Sequence, residues 1–340
     1  MLYFRNDYGT GAHPAVLEAL CRTNMEATPG YGTDPYCLEA AETIRSLCRC
    51  PGAAVHFLVG GTQVNKTAIA AFLRPCEAVI SAASGHICVH EAGSVEQDGH
   101  TVLRFPSPDG KLTPELLYDA MRGPVSEHTV IPRLAYISNT TELGTVYSRP
   151  ELRALREACD KLGLLLYCDG ARLGSAMDAG GTEFSDYAEN CDAFTIGGTK
   201  NGLLFGEALV IVNPALQPHF RNCMKQQGAM LAKGRLLGVQ FGAILRDGLY
   251  LSLAAHANSL AKRLAEGLEK LGVPLLVPAE SNQIFPILPD GVVEMLRQAV
   301  EFEVERKTDE THTCVRFVTA WHTPAEAVDA LLALMEKSLK

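Results

Sequence analysis

The chain has 340 residues, 47% of them hydrophobic and 20% charged, which is the composition of a globular protein and excludes a disordered one. At ~100–200 residues per domain, two domains or one large α/β domain are expected, and neither needs disulfide or metal staples. A formal net charge of −9 argues against nucleic-acid and anionic-membrane partners, yet it leaves room for a local cationic pocket.

The first 25 residues, with His13-Pro14, read as an arm rather than a strand. Arg5 and Asp7 stand where a signal peptide would need apolar residues, and no apolar run approaches the ~18 residues of a membrane span, so a cytoplasmic protein is expected. Strand-like apolar runs follow at 55–59, 78–81, 101–105, 133–138, 164–168, 192–196 and 208–212. Helical periodicity lies between them, as at Val64, Ala68, Ala71 and Phe72. Thr113 ahead of Pro114, and Ser148 ahead of Pro150, predict helix starts. Strands alternating with helices of this length imply parallel βαβ crossovers. The pattern changes near residue 245: a long helix at 250–271, an apolar run at 283–288, a helix at 292–300, a strand at 313–318 and a closing helix at 324–339. The fold class expected is therefore α/β, a three-layer α/β/α large domain on a mainly parallel sheet, with a smaller C-terminal α+β domain. Its expected boundaries are an arm at 1–25, a large domain at 26–245 and a small domain at 246–340. The eleven cysteines are odd in number and sit mostly in apolar runs, which suits core packing better than a disulfide framework or a metal site.

Three loci point to chemistry. Gly60-Gly61-Thr62 joins a strand to a helix, where glycines admit a ligand to the backbone and the helix N-terminus favours a phosphate. It is neither a Walker loop nor a dinucleotide fingerprint, and a plain tight turn reads equally well. Asp169 closes the run at 164–168, at the strand end where α/β sheets bind ligands, although an acid there also caps turns. Lys200 follows Gly197-Gly198-Thr199 at another strand end, a setting for a Schiff-base lysine rather than a solvated charge. Turn, acid and lysine in this order describe a pyridoxal phosphate site. His86, just past a strand in Ser84-Gly85-His86, is flat enough to stack on a cofactor ring and exchanges protons near neutral pH.

With these segments on view, the chain resembles the threonine aldolase and β-eliminating lyase family of pyridoxal-phosphate enzymes, of the aspartate-aminotransferase fold type. The likeness runs from Arg5-Asn6-Asp7 through Tyr31-Gly32-Thr33-Asp34, Gly60–Asn65, His86 with Glu91-Ala92-Gly93, and Thr141–Tyr147. It continues in Asp169-Gly170-Ala171-Arg172, Thr199-Lys200-Asn201-Gly202 and Arg316-Phe317-Val318-Thr319. The low-specificity L-threonine aldolases are the most similar group. The resemblance implies that Lys200 holds the cofactor, Asp169 faces its ring nitrogen, His86 stacks on it, and Gly60, Gly61 and Thr62 take its phosphate. It implies Arg172 and Arg316 on the substrate carboxylate, Asn6 as a further polar ligand, and Tyr31 reaching the site of a neighbouring subunit. Lys233 and Arg235 match basic residues near a subunit interface, or form a solvated face. Many relatives have Ser at Asn6, and some have a second histidine where this chain has Glu142, so the base at the substrate hydroxyl is His86, Glu142 or a water.

The activity implied is cleavage of β-hydroxy-α-amino acids to glycine and an aldehyde by a homo-oligomer, a dimer of dimers. Other pyridoxal-phosphate reactions (β-elimination, transamination, racemisation) are the alternatives, and a non-catalytic phospho-ligand scaffold is a third. No metal is expected.

Overall fold

Apolar runs buried on both faces pair into parallel sheets, and helices must then cover each side. The structure, a computed structural model, describes residues 1–123 and 126–339. The 1–25 segment, expected as an arm rather than a strand, holds a two-residue strand, β1 (Leu2–Tyr3), and the Pro14–Thr23 helix. The next seven strands of the described residues are β2 (Ala54–Leu58), β3 (Glu77–Ala82), β4 (Val102–Phe105), β5 (Ile131–Ser138), β6 (Leu165–Asp169), β7 (Ala193–Gly197) and β8 (Glu207–Ile211). They form one sheet in the order β2-β8-β7-β6-β5-β3-β4. Strands β4, β3, β5, β6 and β7 run parallel, while β8 is antiparallel to both β2 and β7. The mainly parallel sheet inferred from the alternation is thus observed.

Side chains alternate across the pleat and build two cores. On β6, Leu166 and Cys168 pack with Leu152 and Leu155 of the Arg149–Leu162 helix, while Leu165 and Tyr167 join Val64 and Ala68 of the Gly61–Phe72 helix on the opposite face. Both predicted helix starts hold. Thr113 accepts from the Leu116 amide at 3.4 Å, and Ser148 forms a capping box with Glu151.

The C-terminal segment carries β9 (Gln283–Ile284), β10 (Ile287–Pro289), β11 (Val300–Glu301), β12 (Glu303–Lys307) and β13 (His312–Val318). Strand β13 pairs antiparallel with β9, β10 and β12, and β1 pairs parallel with β11. The run expected at 283–288 is split because Pro286 has no N–H to give the ladder. The helix expected at 292–300 spans Asp290–Leu296 instead. The Leu249–Lys270 and Ala325–Leu339 helices close a third core through Leu260, Leu264, Leu331 and Met335 against Val315 and Phe317. Phe4 enters the same core and its carbonyl accepts from the Val318 amide at 2.8 Å, which ties the start of the chain to the strand bearing Arg316. No helix of the described residues is long and apolar enough to cross a membrane.

Candidate active site

The carboxyl ends of β6 and β7 are drawn together by two glycines. A Cβ on Gly170 would lie 2.0 Å from the Thr195 carbonyl oxygen, and one on Gly197 would lie 2.3 Å from that of Ala171. The Gly197 amide donates to the Gly170 carbonyl at 2.9 Å, and the Gly170 amide donates to Thr195 Oγ1 at 2.7 Å. This close approach sets Asp169 and Lys200 on one cavity of about 580 Å³, within the range of small-molecule sites. Gly60, Gly61, Thr62, His86, Glu142, Arg172 and Arg316 line the same cavity.

Asp169 is buried and accepts three hydrogen bonds. Its Oδ2 accepts from Asn65 Nδ2 and from the Tyr136 hydroxyl, each at 2.7 Å, and its Oδ1 accepts from the Ala171 amide at 3.0 Å. Burial pushes its pKa up, but the charge of His86, the Asn65 and Tyr136 hydrogen bonds and the Lys200 charge outweigh burial and leave it below the usual carboxylate value. The acid is held ionised. Asn65 also donates to Glu91 Oε1 at 2.7 Å, and that oxygen lies 2.7 Å from His86 Nδ1. Burial lowers the His86 pKa, yet the Glu91 hydrogen bond and the charges of Glu142 and Asp169 raise it on balance.

Lys200 is pushed the other way. Burial and the Arg172 charge lower its pKa against the opposing pull of Asp7, Glu142 and Asp169, so the nucleophilic neutral amine is more accessible than in a free lysine. Arg172 is gripped bidentately by Asp7, Nε to Oδ2 at 2.7 Å and Nη2 to Oδ1 at 3.1 Å, with both side chains buried. Asn282 Nδ2 donates to Asp7 Oδ2 at 3.0 Å. Two of the five guanidinium N–H groups are thereby used, which leaves three for a ligand. Arg316 reaches the cavity from β13, 3.5 Å from Glu305 Oε1, with its buried Nε lacking a hydrogen-bond partner. At the phosphate-type turn, a Cβ on Gly60 or Gly61 would meet nothing within 4 Å, and no side chain caps the Gly61–Phe72 helix. The turn is open and its first amides have no capping acceptor, which fits a phosphate.

A model of the β-eliminating lyase family matches residues 4–290, and the low specificity L-threonine aldolase of Pseudomonas aeruginosa is 33% identical over 86% of each chain. The chain belongs to the β-eliminating lyase family. That of Saccharomyces cerevisiae is 30% identical over 83% of this chain and 72% of its own. A solved structure of Leishmania major threonine aldolase superposes with a TM-score of 0.98, at 42% identity and full coverage of both chains. Sphingomonas wittichii serine palmitoyltransferase, at 16% identity and TM-score 0.74 over 99% of this chain and 86% of its own, shares the fold alone. The fold is that of the fold type I pyridoxal-phosphate enzymes.

Asn6, expected as a polar ligand, is not among the residues lining the cavity, and Tyr31, expected at the site of a neighbouring subunit, does not line this chain's own. Asn6 Oδ1 accepts from the Tyr8 amide at 3.1 Å, and it is the neighbouring Asp7 that meets Arg172. Tyr31 is 46% exposed, its ring lying under Lys225 Nζ at 4.8 Å and its carbonyl accepting from Arg221. Arg235 donates to the carbonyls of Thr23 and Glu26, and Lys233 lines a separate groove beside it. Sequence reasoning did not assign a role to Glu207, which lines the cavity, or to Asp7, Asn65, Glu91 and Tyr136, which hydrogen-bond to residues that do. Asn65 was detectable as a polar residue beside Val64 and Ala68 on a buried helical stripe.

Proposed function

We infer that the chain is a pyridoxal-phosphate-dependent aldehyde-lyase that cleaves L-threonine, L-allo-threonine and related β-hydroxy-α-amino acids to glycine and an aldehyde. The observation that carries this is the gathering of an ionised acid, a lysine of lowered pKa, an open phosphate-type turn and two arginines around one cavity. The names of the relatives point to the same chemistry. Bound pyridoxal phosphate supplies the electron-withdrawing ring that weakens the Cα–Cβ bond. Lys200 Nζ would hold its aldehyde carbon, Asp169 would keep a proton on its ring nitrogen, His86 would lie against the ring, and the amides at Gly61 and Thr62 would take the phosphate.

Arg172 and Arg316 fix the substrate carboxylate, and planar forks suit that task better than ammonium groups. Asp7 occupies the Nε–Nη2 edge of Arg172, so the carboxylate meets its remaining N–H groups. His86 takes the β-hydroxyl proton, directly or through a water. A homo-oligomer in the cytoplasm completes the reading; it suits eleven free cysteines and the exposed Tyr31. Purified protein with cofactor, given L-threonine, L-allo-threonine and phenylserine, is expected to yield glycine and the matching aldehyde. Ammonia with a keto acid in their place would overturn the assignment.

The pH profile follows from His86. With its pKa raised, the imidazole keeps its proton to higher pH than a free histidine, and it accepts a proton only above that pKa. The value of kcat/KM is expected to rise with pH through this ionisation. Glu142→Gln removes one of the charges that favour imidazolium, so the midpoint should move to lower pH. An unmoved midpoint would show that the titrating base is not His86.

A further inference from the structure

Glu207 is the first residue of β8, lies opposite Leu58 and Gly197 in register, and lines the active-site cavity. It is 4% exposed, and its Oε2 has no hydrogen-bond partner. A buried, orphaned carboxyl oxygen costs stability, and it calls for a ligand or a function. Leu209 and Ile211, two and four residues on, pack with Val64 and Ala68 of the Gly61–Phe72 helix, so strand alternation puts Glu207 on that helix's side of the sheet. Leu58, its cross-strand neighbour, leads directly into Gly60-Gly61-Thr62. Gly197, its other neighbour, ends β7 three residues before Lys200.

We propose that Glu207 is a phosphate-recognising residue of this site, a carboxylic acid that supplies an O–H donor to a phosphate monoester held at the Gly60-Gly61-Thr62 turn. The inference rests on the cofactor reading above. The charged groups that face Glu207 are Lys200 and Asp169, with Tyr167 and Tyr250 as neutral neighbours. Burial pushes its pKa up to about 8, Asp169 adds to that, and Thr199, Lys200 and the Gly198 amide pull the other way. Below that pH the group is neutral and donates; above it, it is an anion facing a phosphate dianion. Binding of the dianion therefore takes up a proton on the alkaline side.

The test compares dissociation constants of pyridoxal phosphate and of pyridoxal, which keeps the aldehyde and lacks the phosphate, from pH 7 to 9.5. Dividing one by the other cancels the titration of Lys200, and the monoester stays a dianion because its second pKa is about 6. In the unmodified protein the advantage of the phosphorylated form should fall at least about tenfold between pH 8 and 9.5. In Glu207→Gln, whose carboxamide donates at every pH, the advantage should stay constant. A flat ratio in the unmodified protein overturns the proposal, as does a Glu207→Gln variant with an unchanged fall. If the variant does not fold, the ratio in the unmodified protein decides alone. Failure of both compounds to bind would instead overturn the cofactor reading itself.

Discussion

Lys200→Ala is expected to abolish covalent attachment of pyridoxal phosphate and to lower threonine cleavage by about four orders of magnitude. In the proposed function Nζ would hold the aldehyde carbon and give way to the substrate amine, and alanine leaves no group to do either. The environment serves that role. Burial and the neighbouring Arg172 charge lower the lysine pKa, while the charges of Asp7, Glu142 and Asp169 oppose that fall. Lys200→Arg should fail as badly as the alanine, since a guanidinium keeps the charge but does not deprotonate in a protein. Borohydride reduction followed by peptide mass spectrometry reads the attachment directly. An adduct on the peptide containing Lys200 in the unmodified protein, lost in both variants together with the visible absorbance, is the expected result. Full turnover in Lys200→Ala, or an adduct on another lysine, would remove Lys200 from its assigned role.

How far the site could be read from the residues alone follows from the range of the forces involved. Asp169 and Lys200 stand out because glycines punctuate apolar runs just where parallel strands end, a local signal. The same punctuation marks Gly60-Gly61-Thr62. The partners of these groups carry no such mark. Asp7 and Arg172 are 165 positions apart, and Asn65 meets Asp169 across 104, so only the folded sheet brings them into register. The small C-terminal sheet was harder to foresee. Strand β12 is Glu-Val-Glu-Arg-Lys, mostly exposed, and its backbone pairing with β13 rather than any apolar pattern makes it a strand. Strands β1 and β11 are two residues each, below the length at which alternation can be recognised. Arg316, by contrast, lies on β13, whose apolar core positions made the strand recognisable, and the tie through Phe4 explains how a distant strand reaches the cavity.

The pairing of Asp7 with Arg172 makes Asp7→Ala the variant expected to damage stability most. Both side chains are buried, at 1% and 7% exposure, and removing the carboxylate leaves two more guanidinium N–H groups unsatisfied and takes away the countercharge hydrogen-bonded to them. Breaking one half of such a pair costs about 3–5 kcal/mol, far more than an exposed ion pair contributes. The Asp7 carboxylate also accepts from Asn282, so the substitution cuts a tie between the start of the chain and the residue just ahead of β9. Removing both partners, in Asp7→Ala with Arg172→Met, should cost less stability than Asp7→Ala alone, because no uncompensated charge remains buried. Denaturant or thermal unfolding of the unmodified protein and the two variants measures that inequality, and a double variant less stable than Asp7→Ala would refute it. The pH dependence has a definite sign. Burial raises the Asp7 pKa, but the Arg172 and Lys200 charges and the hydrogen bonds bring it below the usual carboxylate value. A carboxylate with a depressed pKa in the folded state contributes its full stabilisation above the unfolded value near 3.9, and loses it as pH falls through the folded one. The gap between unmodified protein and Asp7→Ala should therefore be constant from neutral pH down to about pH 5 and close in more acidic solution. Activity should fail in the same variant for a separate reason: an Arg172 no longer held at Nε and Nη2 loses the orientation that presents its other N–H groups to the substrate, so KM should rise even at temperatures where the variant remains folded.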